Sequence, residues 1–221
     1  AGGGAAAYRT WTAELPAEVE VCALRLPGRE DRLTEPPFRR LGPLVAALVP
    51  GLRPHLDRPF AFFGHSMGAL VAFHTAHAVR HYQSPVHLFV SGRRAPHVPS
   101  AYPPIHALPD AEFVRQLRRL NGTPEAVLCE PQLMDMLLPV LRADIAVSET
   151  YVYAPQPPLD CPISAFGGVR DSEAGHDELA AWRDHTRAVF TLRMLPGDHF
   201  FLHTSRPPLL RALGEEVARW L

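Results

Sequence analysis

The chain has 221 residues, 47% hydrophobic and 20% charged, with Lys+Arg 22 against Asp+Glu 23. That composition suits one globular core, and a net charge of -1 argues against a nucleic-acid binder, which needs a basic face. No apolar run approaches the roughly 20 residues that cross a bilayer, and no signal-peptide pattern opens the chain.

Val19–Leu26 (VEVCALRL) reads as the first strand, stopped by Pro27-Gly28. A helical stretch follows over about Arg39–Leu56. Phe60–Phe63 (FAFF) is short and continuously apolar, as a buried parallel strand is. Gly68–Tyr82 reads as a helix and Val86–Ser91 as a strand. From Gly92 to Asp160 no strand pattern appears. Helices are expected there near Pro109–Leu120 and over about Pro124–Tyr153, the latter kinked at Pro139. Alternation resumes with a strand at Pro162–Phe166, a helix near His176–Ala188 and a strand near Val189–Leu195. A last helix, about Pro207–Leu221, puts Leu209, Leu210, Leu213, Val217 and Leu221 on one face. Strands alternating with helices predict a mostly parallel sheet flanked by helices. The strand-free stretch predicts a helical insertion, of the kind that forms lids.

Gly64-His65-Ser66-Met67-Gly68 is a G-x-S-x-G between an apolar strand and a helix. That context is the nucleophile elbow of an α/β-hydrolase fold, whose partners follow in the order Ser, acid, His. Asp171, after Pro162–Phe166, and His199, after the strand ending at Leu195, fit that order. Asp177 and Asp184 lie in or beside a helix, and Asp198 adjoins His199, so all three are weaker candidates for the acid of the triad. His65 and His203 are weaker candidates for its base. In these roles Ser66 attacks a carbonyl, His199 moves the proton and Asp171 orients the imidazole. The Met67 N–H is one oxyanion donor. Cys22, Cys129 and Cys161 form no C-x-x-C, as in a cytoplasmic protein, and the 12 His make no metal motif.

The chain resembles the type II thioesterases that accompany polyketide synthases and nonribosomal peptide synthetases. Besides the elbow, the blocks that carry the likeness are Leu26–Phe38 (LPGREDRLTEPPF), Phe63–His74, Leu88–Pro96, Leu141–Tyr153, Cys161–Asp171 and Pro196–Leu202. The resemblance implies a single domain, with core 1–91 and 161–221 and a helical lid at about 97–153. It implies hydrolysis of short or aberrant acyl groups from the phosphopantetheine arm of acyl or peptidyl carrier proteins. No cofactor is expected, because the substrate carries the phosphopantetheine, and a monomer is expected. Leu128, Leu133, Met134, Leu137, Leu138 and Leu141 are candidates for an apolar substrate channel, with core packing at least as good an account. Arg93-Arg94 are weaker candidates for carrier docking.

Two departures stand out. Asp198 occupies a position where such enzymes commonly carry Gly. They also begin with a strand running into His-Ala-Gly-Gly, and Ala1-Gly2-Gly3 match only the end of that motif. By this likeness Ala1 supplies the second oxyanion N–H. The N-terminal strand is missing and should lie between Val19–Leu26 and Phe60–Phe63, leaving a gap in the sheet. Rival readings are a general serine esterase, a chain-releasing thioesterase domain, and a non-catalytic carrier-protein binder.

Overall fold

Four of the five runs read as strands pair side by side. A computed structural model describes residues 1–221. β1 (Ala61–His65), β2 (His87–Ser91), β3 (Ile163–Gly168) and β4 (Phe190–Leu195) form one parallel sheet in chain order. Every residue of β2 and β3 is buried, as in a parallel sheet covered on both faces, and two polar side chains among them, His87 and Ser164, hydrogen-bond each other. The register sets His65 opposite Ser91, Ser91 opposite Phe166, and Gly168 opposite Leu195. The carboxyl ends of the strands are therefore level, the edge where ligands bind in such sheets.

The helices are α1 (Leu41–Leu52), α2 (Met67–Val79), α3 (Asp110–Leu120), α4 (Glu125–Leu128), α5 (Pro131–Glu149), α6 (His176–Ala180), α7 (Phe201–Thr204) and α8 (Arg206–Val217). The helical region expected over Pro124–Tyr153 is two helices. Pro131 starts α5, a position where a missing N–H costs nothing, and α5 then runs on past Pro139. In α8, Leu209, Leu210 and Leu213 are buried. Leu221, expected on the same face, lies beyond the helix and is exposed.

Val19–Leu26 is not a strand. It runs without a ladder, and Cys22–Arg25 are exposed. Alternation can give a segment two faces, but a strand exists only through bonds to a neighbour. β1 pairs with β2 on one side and with no strand on the other, so it forms the edge of the sheet.

The chain packs as two compact units. The sheet unit comprises Thr10–Val21, Gly42–Pro99 and Val152–Leu221. Its core joins Ala69, Ala72, Phe73 and Ala76 of α2 to Leu88 and Val90 of β2, Ile163 and Ala165 of β3, Leu179 of α6, and Trp182. Each large side chain buried here contributes about 1.5–3 kcal/mol. The Trp182 Nε1–H donates to the Arg93 carbonyl at 2.7 Å, so its polar edge is satisfied.

The helical unit comprises Ala1–Arg9, Cys22–Leu41 and Ser100–Tyr151. Residues 1–9 and 22–41, assigned to the core from the sequence, cluster here with the helices. Phe113 and Leu117 of α3, Leu128 of α4, and Met134, Leu141 and Ile145 of α5 form its core with Ile105. A buried ion pair crosses it. Arg29 donates to both Asp144 carboxylate oxygens, at 2.7 and 3.0 Å. The same groups hold the chain start: Gly2 N–H donates to Asp144 at 2.7 Å, and Arg29 donates to the Gly3 carbonyl at 2.9 Å.

Candidate active site

Ser66 is the only residue between β1 and α2, and it is bent to φ 55, ψ -118. A non-glycine residue in that region costs on the order of 1–3 kcal/mol and persists only where its surroundings impose it. Here the Ser66 N–H donates to the Ser91 carbonyl at 2.8 Å, tying the turn to β2. The turn is so close that a Cβ at Gly64 would stand 2.1 Å from the Gly68 carbonyl oxygen. A Cβ at Gly68 would meet nothing within 4 Å, so steric need explains the first glycine of the motif and not the second. Met67 opens α2, where a backbone N–H has no carbonyl partner within the helix.

The loops after β3 and β4 bring Asp171 and His199 together. Val169 N–H donates to Leu195, and Arg170 N–H to the Gly197 carbonyl, both at 2.9 Å, so backbone bonds hold the two loops edge to edge. The His199 Nδ1–H donates to Asp171 Oδ2 at 2.9 Å and Oδ1 at 3.1 Å. The Asp171 side chain is fully buried, and the Glu173 N–H also donates to it, at 2.8 Å. A buried carboxylate so bonded selects the Nδ1–H tautomer and leaves Nε2 to exchange protons.

The other acids are occupied elsewhere. Asp177 is exposed beside His176, and Asp184 is exposed near His97. Asp198 Oδ1 accepts the Phe200 N–H at 2.9 Å, a turn within its own loop. His203 stacks on Phe200. His65 lies closer to the chemistry than its sequence position suggests, with its ring 5.0 Å from that of His199. Burial, with His199 next to it, pushes His65 well below the usual histidine range, so it is neutral at pH 7. Burial pushes the Cys161 thiol up to about 11, which makes it a poor rival nucleophile. No three His, Cys, Asp or Glu side chains gather as metal ligands.

Of the channel candidates, Leu128, Met134 and Leu141 are buried in the core of the helical unit. Leu137 and Leu138 pack half-buried against that core, and Leu133 is 43% exposed. Ala1 is exposed in the helical unit. Arg94 Nε donates to the Val98 carbonyl at 3.2 Å. The Arg29–Asp144 pair was not singled out from the sequence; two charges 115 positions apart have no local spacing to betray them.

Comparison with known proteins gives the family. The thioesterase domain family matches residues 1–217. Gramicidin S biosynthesis protein GrsT of Aneurinibacillus migulanus is 46% identical over 219 residues, which is 98% of this chain and 86% of that one. Thioesterase PikA5 of Streptomyces venezuelae is 41% identical, over 92% of this chain and 73% of its own length. Among solved structures, RedJ, a thioesterase from the prodiginine biosynthetic pathway in Streptomyces coelicolor, superposes with a TM-score of 0.90 at 43% identity. That match covers 98% of this chain and 82% of RedJ. YbtT, a type II thioesterase from the yersiniabactin NRPS/PKS pathway, gives 0.86 at 32% identity, covering 98% and 89%. Likeness of this depth over nearly the whole length carries chemistry as well as fold, so the chain belongs to the thioesterase domain family and is a serine-based hydrolase of thioesters.

Proposed function

We propose that the protein removes acyl groups from the phosphopantetheine arm of acyl or peptidyl carrier proteins in polyketide or nonribosomal peptide biosynthesis. Ser66, His199 and Asp171 act as its triad. Support comes from the Asp171–His199 bonds, which set the imidazole tautomer that a serine nucleophile needs, together with relatives named for such pathways. His199 Nε2 takes the Ser66 proton as Oγ attacks the thioester carbonyl carbon. The oxyanion that forms is held by the Met67 N–H and, by resemblance, by Ala1. The C–S bond breaks and the thiol leaves with the proton from His199. Water, deprotonated by His199, then attacks the acyl-serine ester and releases the acid.

A thiol with a pKa near ~8.5 leaves more readily than an alcohol, so thioesters ask less of His199 as an acid. Leu133, which is exposed, and Leu137 and Leu138, which are half-buried, are the channel candidates with surface left for an acyl chain. The free cysteines suit the reducing cytoplasm, and the protein is taken to act as a monomer without a cofactor. No helix is long and apolar enough to cross a membrane.

The test compares one acyl group on a carrier protein and on a simple oxygen ester, with kcat/KM measured for both. A clear preference for the carrier thioester is expected. The opposite preference moves the assignment to a general esterase. A fluorophosphonate probe should label Ser66 and fail on Ser66→Ala; no labelling of folded protein removes the triad.

A further inference from the structure

The hydrogen bonds from His199 to Asp171 run through one nitrogen, and bonds at one edge of a ring leave it free to tilt. Something must hold the remainder, because a small displacement of Nε2 is costly to proton transfer. The structure provides a second support on the strand ends. His65 and Ser91 end β1 and β2 and face each other in the register. Ser91 is fully buried, and its Oγ lies 2.9 Å from His65 Nδ1. The His65 ring lies 5.0 Å from that of His199, tilted by 48°, and 5.8 Å from that of Phe201. Gly92 makes this meeting feasible: a Cβ there would stand 2.6 Å from His65 Cε1 and 3.4 Å from His199 Cε1.

We propose that Ser91 and His65 are positioning residues for the His199 imidazole. Ser91 Oγ anchors the His65 ring, and that ring limits the tilt of His199 about its bonds to Asp171. The proposal rests on the triad reading above. The His199 backbone lies within hydrogen-bonding reach of the His65 ring and favours its charged form, but burial outweighs it. A ring that stays neutral is also the right neighbour for a histidine that becomes cationic during each turnover. Ser91 grips the nucleophile as well, through its carbonyl and the Ser66 N–H. One residue therefore contacts both the serine turn and the support of the base.

The test uses the full chain, an acyl-N-acetylcysteamine thioester and active-site titration with a fluorophosphonate. Ser91→Ala removes the anchor and keeps the ring. His65→Asn keeps an amide near the anchor and removes the ring. Each should lower kcat per active site by about 10-fold with KM within about twofold. The two changes lie on one path, so the double variant should fall about 10-fold rather than about 100-fold. The proposal is overturned if kcat per active site stays within about twofold of the unsubstituted enzyme, or if the two effects multiply. A lower Tm with unchanged kcat per active site assigns the pair to folding alone and also overturns it. If Ser66→Ala retains activity, the triad reading falls; if it is inactive while Ser91→Ala is intact, only the positioning role falls.

Discussion

Asp171 shows how far a single atom type can matter. Its carboxylate accepts the His199 Nδ1–H and the Glu173 N–H, so every bond it makes is as an acceptor. Asp171→Asn keeps the shape and introduces an amide donor, which favours the opposite imidazole tautomer. Steady-state kinetics should show kcat reduced by about 10⁴-fold. A loss under tenfold would mean that another residue orients His199. Ser66 was legible in the sequence because its signal is local: apolar strand, tight turn and helix within a few positions. That Asp171 and His199 would meet was legible through chain order and the strand each follows. His65 was underestimated, because chain neighbours do not reveal that Gly92 opens a space for two imidazoles to meet.

Among the elements, α5 carries the clearest dependence on a distant partner. Asp144 lies inside it, 3% exposed, and its charge is met by Arg29 from the Cys22–Leu41 segment. Removing one member of a buried pair strands the other, so Asp144→Ala should cost about 3–5 kcal/mol. Denaturant unfolding and hydrogen exchange along α5 measure it. Replacing both members, as Arg29→Met with Asp144→Leu, should recover much of the loss; equal damage from single and double changes would show that the pair is not the cause. Helices α3 and α8 could be read from period and flanking prolines. Val19–Leu26 could not, because its alternation promised a strand and no ladder forms. The break between α4 and α5 was also missed, as helical composition continues across it and only Pro131 marks the new start.

Across the whole molecule, five of the 12 histidines shape the response to acid. Burial pushes His74, His77, His87 and His185 down to about 4, and His65 is lowered too. In the unfolded chain they bind protons near ~6.5. Between those values the unfolded state holds more protons, so the contribution is complete above ~6.5 and is lost as pH falls toward 4. Each such histidine accounts for at most about 1.4 kcal/mol per pH unit, and less where water still reaches the ring. Thermal melts from pH 7.5 to 4.5 should show Tm falling throughout the lower half of that range. His87→Gln, which keeps a polar side chain facing Ser164, should flatten the slope; a Tm independent of pH would remove the account. The strand-free stretch marked where the helical unit lies but not its membership. That unit is stitched from Ala1–Arg9, Cys22–Leu41 and Ser100–Tyr151. What looks like a detachable insertion is therefore not a module. Transplanting the contiguous 100–151 stretch into a relative would carry Asp144 away from Arg29, Gly2 and Gly3. A chimera that moves the helical unit between such enzymes must graft all three stretches.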